Sequence, residues 1–174
     1  MLPTDTVYGI AVMPAVPGAV PALFRAKGRP ESNPLPVLAA SAEALAGVVD
    51  LGQTASELAR RYWPGPLTLV LRRAEGWRCD LGGDDPESVA VRVPACEIAR
   101  ELLTRSGPLA VSSANRSGGA PATSVAEARE ALGNAVEVYL DGGMRSGAPS
   151  TVLSLIGPPV VLRQGAIPAS ELLP

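Results

Sequence analysis

The side chains able to do chemistry fall in short clusters between apolar runs. Pro3-Thr-Asp-Thr-Val-Tyr-Gly9 packs two hydroxyls, a carboxylate and a phenol together, and on its own it also reads as an ordinary polar turn. Lys27-Gly-Arg-Pro30, followed by Asn33-Pro-Leu35, places an ammonium and a guanidinium two residues apart just past a helical pattern. Such cations suit a helix C-terminus or a polyphosphate. Fourteen of the fifteen basic residues are arginine, so Lys27 is the single lysine. Ser112-Ser-Ala-Asn-Arg-Ser-Gly118 brings hydroxyl and amide groups out at the end of the apolar run Leu109–Val111. Ligands bind at strand ends in open α/β sheets, although a polar loop leading into a helix fits these residues equally well. Arg92 inside Val89-Ala-Val-Arg-Val93, and Arg163 after Val160-Val-Leu162, each put a charge in an apolar run. Burying either one unpaired is costly, so each needs an edge, a partner or an anionic ligand.

Other chemistry is excluded by what the chain lacks. With no histidine, the Ser-His-Asp and Cys-His arrangements and the commonest transition-metal ligand are gone. Cys79 and Cys96 are too few for a zinc site or a disulfide framework, which suits a reduced cytoplasmic setting. Neither a Walker A loop nor G-x-G-x-x-G, G-x-S-x-G or S-x-x-K occurs. No signal-peptide pattern opens the chain and no apolar run is long enough to span a bilayer, so no membrane association is expected. Fifteen basic against seventeen acidic residues leave a net charge of −2, so any RNA contact must be local. Arg60, Arg61, Arg72 and Arg73 form a candidate patch for it, or simply solvated surface. Aromatics at 3% provide no evident stacking platform for single strands.

The elements that must position these clusters alternate between β-like and helix-like segments. That order predicts an α/β (α+β) fold in a single domain over residues 1–174. Strands are expected at Pro36–Ala39, Leu67–Arg72, Val89–Val93, Leu109–Ser112, Val136–Leu140, Thr151–Leu155 and Val160–Arg163. Val16–Lys27 and Glu97–Arg105 read as helices. Thr54-Ala-Ser-Glu57 and Ser124-Val-Ala-Glu127 have capping-box spacing, predicting helices that begin near Ala55 and Val125. Gly76–Pro86 reads as a surface loop, and Trp63-Pro-Gly-Pro-Leu67 as a turn from helix to strand with the indole as packing.

In order along the chain, Pro3–Gly9, Lys27–Pro30, Asn33–Leu35, Trp63–Thr68, Val91-Arg-Val-Pro94, Ser113-Ala-Asn115 with Ser117-Gly118, Asp141–Gly143, Ser150–Val152 and Leu162-Arg163 with Gly165 resemble the YrdC/Sua-type threonylcarbamoyl-AMP synthases. The resemblance runs nearly end to end. It implies a twisted mixed sheet with flanking helices and a concave basic cavity for ATP and L-threonine. The family's reaction joins threonine, bicarbonate and ATP into threonylcarbamoyl-AMP and pyrophosphate, for the t6A modification of adenosine 37 in tRNA.

By resemblance, the nucleotide role falls on Lys27, Arg29, Asn33, Ser88, Asn115, Thr123 and Arg163, with Lys27 and Arg29 catalytic. The threonine role falls on Thr6, Arg92, Ser113 and Ser150. ATP is a substrate, and Mg2+ is expected with it although the sequence shows no carboxylate cage. The tRNA threonylcarbamoyltransferase machinery is the implied downstream partner. The alternative is a protein of the same fold, of the YrdC/YciO type, that contacts tRNA or double-stranded RNA without synthase activity. Three departures from the family stand out. Its members carry a helix and a strand before the first motif, so either the start is misplaced or a strand is missing. Leu38 and Cys96 stand where some relatives have histidine. The chain ends soon after Arg163, like the short form of the family.

Overall fold

A computed structural model of the chain describes residues 1–145 and 147–173. In it β1 (Leu2–Pro3), β2 (Tyr8–Val12), β3 (Val37–Leu38), β4 (Leu67–Arg72), β5 (Ser88–Arg92), β6 (Leu109–Ser113), β7 (Thr151–Ser154) and β8 (Val160–Arg163) form one sheet, ordered β1-β2-β6-β3-β5-β4-β7-β8. β3 runs parallel to β5 and β4 parallel to β7, while the other neighbours are antiparallel. The helices are α1 (Ala19–Lys27), α2 (Gly52–Tyr62), α3 (Glu97–Ser106) and α4 (Val125–Leu132). This is the α/β architecture expected from the order of elements, with the mixed sheet that the family resemblance implied.

Strand alternation divides the side chains between two faces. On one, Tyr8, Ile10, Val37, Leu69, Val91, Ala110 and Leu153 pack with Val20, Leu23 and Phe24 of α1, Ala55 of α2 and Ala128 and Leu132 of α4. On the other, Leu2, Leu38, Leu109 and Val111 meet Cys96, Ala99 and Leu103 at α3. The same face continues along β5, β4 and β7 with Ala90, Arg92, Thr68, Val70 and Val152, and there it lines a cavity. Arg92 therefore sits in an apolar run because Val89 and Val91 face the core while Ala90 and Arg92 face the cavity.

Several expectations hold closely. β4 and β8 have the expected bounds, and Ser124 caps α4 by accepting a 3.2 Å bond from the Glu127 N–H. The Glu127 carboxylate turns back to the Thr123 N–H at 2.7 Å, one residue before the usual capping-box partner. The Trp63 indole Nε1 donates to Leu67 O at 2.7 Å, closing the helix-to-strand turn.

Four expectations change. α1 begins at Ala19, because Pro17-Gly18 interrupts the pattern and Gly18 has φ 79°. α2 begins at Gly52, so Thr54 lies inside the first turn and is not its cap; the Asp50 carboxylate instead accepts from the Gly52 N–H at 3.1 Å. Val136–Leu140 is not a strand. It lies beside the chain start through Met1 N to Val138 O and Leu140 N to Met1 O, without a ladder. Tyr8–Val12, unassigned from sequence, is a strand paired with β6.

Candidate active site

The cavity on the open face has a volume of about 400 Å³. Thr6, Arg29, Arg92, Ser113, Ser150 and Arg163 line it, together with an apolar wall that includes Val70, Val111 and Leu162. These residues come from positions 6 to 163, and the sheet brings them to one hollow. A larger hollow of about 550 Å³ lies beside α2 and α3, but its charged residues, Glu43, Arg60 and Arg100, are exposed. Convergent buried polar groups mark the smaller one as the candidate.

Arg92 is the most buried of the three cations that line the cavity, 6% exposed. Its Nε donates to Gly65 O at 2.9 Å, Nη1 to Thr6 Oγ1 at 3.1 Å and Nη2 to Asp5 Oδ1 at 2.5 Å. A guanidinium has five N–H bonds, so two remain for a ligand. Asp5 and Thr6 are held in place by Thr4, whose hydroxyl donates to Val7 O at 2.6 Å and accepts from the Thr6 and Val7 N–H groups. The partner that the charge of Arg92 required is Asp5; the Thr-Asp-Thr motif carried that signal, although Asp5 was not among the expected site residues.

Arg163, at the end of β8, donates through Nε and Nη2 to Ser150 O and through Nη2 to Ser150 Oγ at 3.1 Å. Ser150 Oγ also lies 2.8 Å from Thr68 Oγ1. Arg29 uses Nε on Asn33 O at 2.9 Å and Nη2 on Pro34 O at 3.2 Å. In both arginines Nη1 makes no hydrogen bond within the described residues. Burial first, and then the charge of Arg163, lowers the pKa of Arg29. Burial also lowers Arg92, against the opposing pull of Asp5, and Arg163 lowers it further. Arg163 thus repels both other guanidinium groups across the hollow, an arrangement that favours an anion bound among them.

Lys27 and Asn115 lie behind the lining. Lys27 is 2% exposed, and its Nζ donates to Ser113 O, to Asn115 O at 2.7 Å and to Asn115 Oδ1 at 3.1 Å. Asn115 Oδ1 also accepts from Ser113 Oγ at 2.5 Å, and its Nδ2 donates to Arg116 O and Gly119 O. Burial, and then the charge of Arg29, brings Lys27 from its ordinary 10.5 down to about 8. Of the remaining expected residues, Asn33 contributes its carbonyl to Arg29, while Ser88 and Thr123 do not line the cavity. Ser88 lies two residues from Ala90 on the cavity-facing side of β5, and the Thr123 hydroxyl is bonded to Glu127. Sequence reasoning missed Tyr8 as the anchor of the Asp141–Gly143 segment: its hydroxyl donates to Gly143 O at 2.8 Å and accepts from the Gly142 N–H at 3.0 Å.

The family model for Sua5/YciO/YrdC, described as "Telomere recombination", matches residues 1–165. The chain belongs to this family. It is 45% identical over 175 residues to a threonylcarbamoyl-AMP synthase of Pyrococcus abyssi, covering 98% of this chain and 51% of that protein. A threonylcarbamoyl-AMP synthase of Bacillus subtilis is 36% identical, covering 98% of this chain and 50% of its own length. The chain thus spans about half of each. The crystal structure of P. abyssi Sua5 complexed with L-threonine superposes with a TM-score of 0.90 at 43% identity, over 98% of this chain and 51% of that one. The Sua5/YciO/YrdC fold expected from the motifs is therefore the fold observed.

Proposed function

We propose that this chain is an L-threonylcarbamoyladenylate synthase, a nucleotidyltransferase that makes threonylcarbamoyl-AMP and pyrophosphate from L-threonine, bicarbonate and ATP. The observation that carries this reading is the convergence of Arg29, Arg92 and Arg163 with Thr6, Ser113 and Ser150 on one hollow, each guanidinium already held by part of its donors. The synthase relatives and the threonine-bound structure of P. abyssi Sua5 support the choice of substrates.

In this reading the two spare N–H bonds of Arg92 grip the carboxylate of threonine, a pairing suited to a planar fork. Thr6, Ser113 and Ser150 surround its hydroxyl and amine. The amine condenses with bicarbonate to a carbamate, releasing water. A carbamate oxygen then attacks the α-phosphorus of ATP, and pyrophosphate leaves. Arg29 and Arg163 face the phosphates and neutralise charge as it moves to the leaving group, so positioning and electrostatics carry the step without a protein nucleophile. Asn33, Ser88 and Thr123, each within two residues of the lining, are assigned to the nucleoside at the rim in this reading.

No carboxylate is among the residues lining the cavity, and the described residues contain no cluster of three metal-ligating side chains. The residues present therefore do not form a magnesium cage; the ion belongs with the phosphates of the nucleotide. The product serves t6A37 formation through the tRNA threonylcarbamoyltransferase machinery. The test is pyrophosphate release from ATP and labelled bicarbonate. Release that requires threonine supports the synthase, and ATP turnover indifferent to threonine, or none at all, rejects it.

A further inference from the structure

The family resemblance places Lys27 on the nucleotide, but its surroundings give it a different task. An ammonium has three N–H bonds and no acceptor capacity. Here three acceptors surround Nζ: Ser113 O, Asn115 O and Asn115 Oδ1. The donor set is full, and Lys27 is not among the residues lining the cavity. A phosphate could take an N–H only by stripping a carbonyl or amide of its partner in a buried place, where an unmade bond is expensive.

The main chain joins the same stitch. Lys27 ends α1, and its carbonyl accepts from the Ser117 N–H at 2.9 Å. Gly28, at φ 62°, then turns the backbone through a left-handed conformation that favours glycine, so that Arg29 goes to the cavity while Lys27 stays behind it. Backbone and side chain of one residue thus grip both ends of the stretch Ser113–Ser117, and Ser113 is its cavity-facing member. This also accounts for the only lysine in an arginine-rich chain. Three oxygens converging on one point need a compact donor with three N–H bonds, which a planar guanidinium fork does not match.

We propose that Lys27 is a positioning residue, acting on the reaction by holding the Ser113–Asn115 turn in register with the cavity and not by contacting a phosphate of the nucleotide. The proposal rests on the synthase reading for its kinetic consequences but not for the contact itself. Its charge still adds to the field around Arg29, a smaller and less directional contribution than a direct bond.

The experiment begins on the unaltered protein. Because there is one lysine, its side-chain 15N and 13Cε resonances are assigned by inspection. Saturation with ATP should leave the Nζ resonance in place, and saturation with threonine should move it through Ser113. A shift of Nζ on ATP alone, larger than that on threonine, overturns the proposal. In variants, Lys27→Met should weaken threonine binding by about tenfold or more while ATP binding, measured without threonine, changes less than about threefold. Lys27→Arg should do no better than Lys27→Met, because charge without three convergent donors does not restore the turn. Rescue of ATP affinity by arginine would instead show a phosphate contact. If the wild-type protein makes no threonylcarbamoyl-AMP, the functional reading falls, whereas the resonance test still decides where Nζ is bound.

Discussion

Removing Asp5 should hurt the protein more than removing Asp5 and Arg92 together. The pair is 2.5 Å apart with side chains 7% and 14% exposed, so Asp5→Ala leaves a guanidinium in a poorly solvated place. Breaking a fully buried pair from one side costs about 3 to 5 kcal/mol, and the partial access of Asp5, with Gly65 O and Thr6 Oγ1 still bonded to Arg92, reduces the expectation to roughly 2 to 3 kcal/mol. For a chain of this length that is a fall of roughly 4 to 12 °C in Tm. Adding Arg92→Met removes the stranded charge while keeping apolar bulk, and should recover at least about half of the loss. The double variant should still fail to bind threonine, because the carboxylate has lost its fork. Chemical denaturation of the wild type, both single variants and the double variant gives the stability cycle, and calorimetric titration with threonine gives the binding. An Asp5→Ala variant within about 0.5 kcal/mol of wild type, or a cycle that is simply additive, would refute the picture of a desolvated pair.

Arg163→Gln, at an exposed position, should leave Tm nearly unchanged yet raise the KM for ATP by about tenfold or more, since a lost charged hydrogen bond is worth about 1.5 to 3 kcal/mol; steady-state kinetics at fixed threonine checks it. Gly165→Ala places a methyl 2.2 Å from Pro149 O and 2.4 Å from the Ser150 carbonyl carbon, and should destabilise the fold by about 1 to 3 kcal/mol while weakening threonine binding at Ser150, read by denaturation and titration. Ser124→Ala removes the cap of α4 and should cost about 1 kcal/mol with catalysis unaffected. Lys27 titrates near 8 in the folded chain against 10.5 when open, so the unfolded state binds more protons between those values and stability should rise with pH across that window. The slope should reach up to about 1.4 kcal/mol per pH unit relative to Lys27→Met, and a 13Cε titration midpoint near 10.5 would contradict the burial argument.

The fold was legible where patterning was decided locally. β4 and β8 alternate or run apolar between clear breakers, and Ser124 with Glu127 announces a helix start whose hydroxyl does bind the expected N–H. Errors arose where a neighbour far along the chain decides. Tyr8–Val12 becomes a strand by pairing with β6, a hundred residues away in sequence, and Val136–Leu140 has strand-like residues but no ladder partner beyond two bonds to Met1. Thr54 has a cap's spacing, yet the Asp50 carboxylate two residues before Gly52 starts α2 earlier. For the site, residue types alone left each cluster open, and it was the family resemblance that named six residues that line the cavity. They did not separate residues that reach the hollow from those that brace it. Lys27 and Arg29 are two apart and both cationic, and only the left-handed turn at Gly28 sends them to different places.

Under the proposed synthase reading, that division suggests how a chain with no histidine accelerates a condensation by positioning and charge. Each arginine at the hollow is tethered by main-chain carbonyls: Arg92 by Gly65, Arg163 by Ser150, Arg29 by Asn33 and Pro34. A tethered guanidinium keeps its direction when the ligand is absent, so in the proposed reaction little reorganisation remains when charge moves to pyrophosphate. The tethers also leave mutual repulsion unrelieved, with Arg163 lowering the pKa of both Arg29 and Arg92. In the proposed reaction, a polyphosphate bound there relieves that repulsion, and the growing charge on the leaving group draws on the same field. Substituting a tethered arginine by lysine keeps the charge and loses the tether, so Arg29→Lys should lower kcat more than it raises the KM for ATP. Equal effects on both parameters would mean that the carbonyl anchors contribute only to binding and that catalysis does not depend on preset direction.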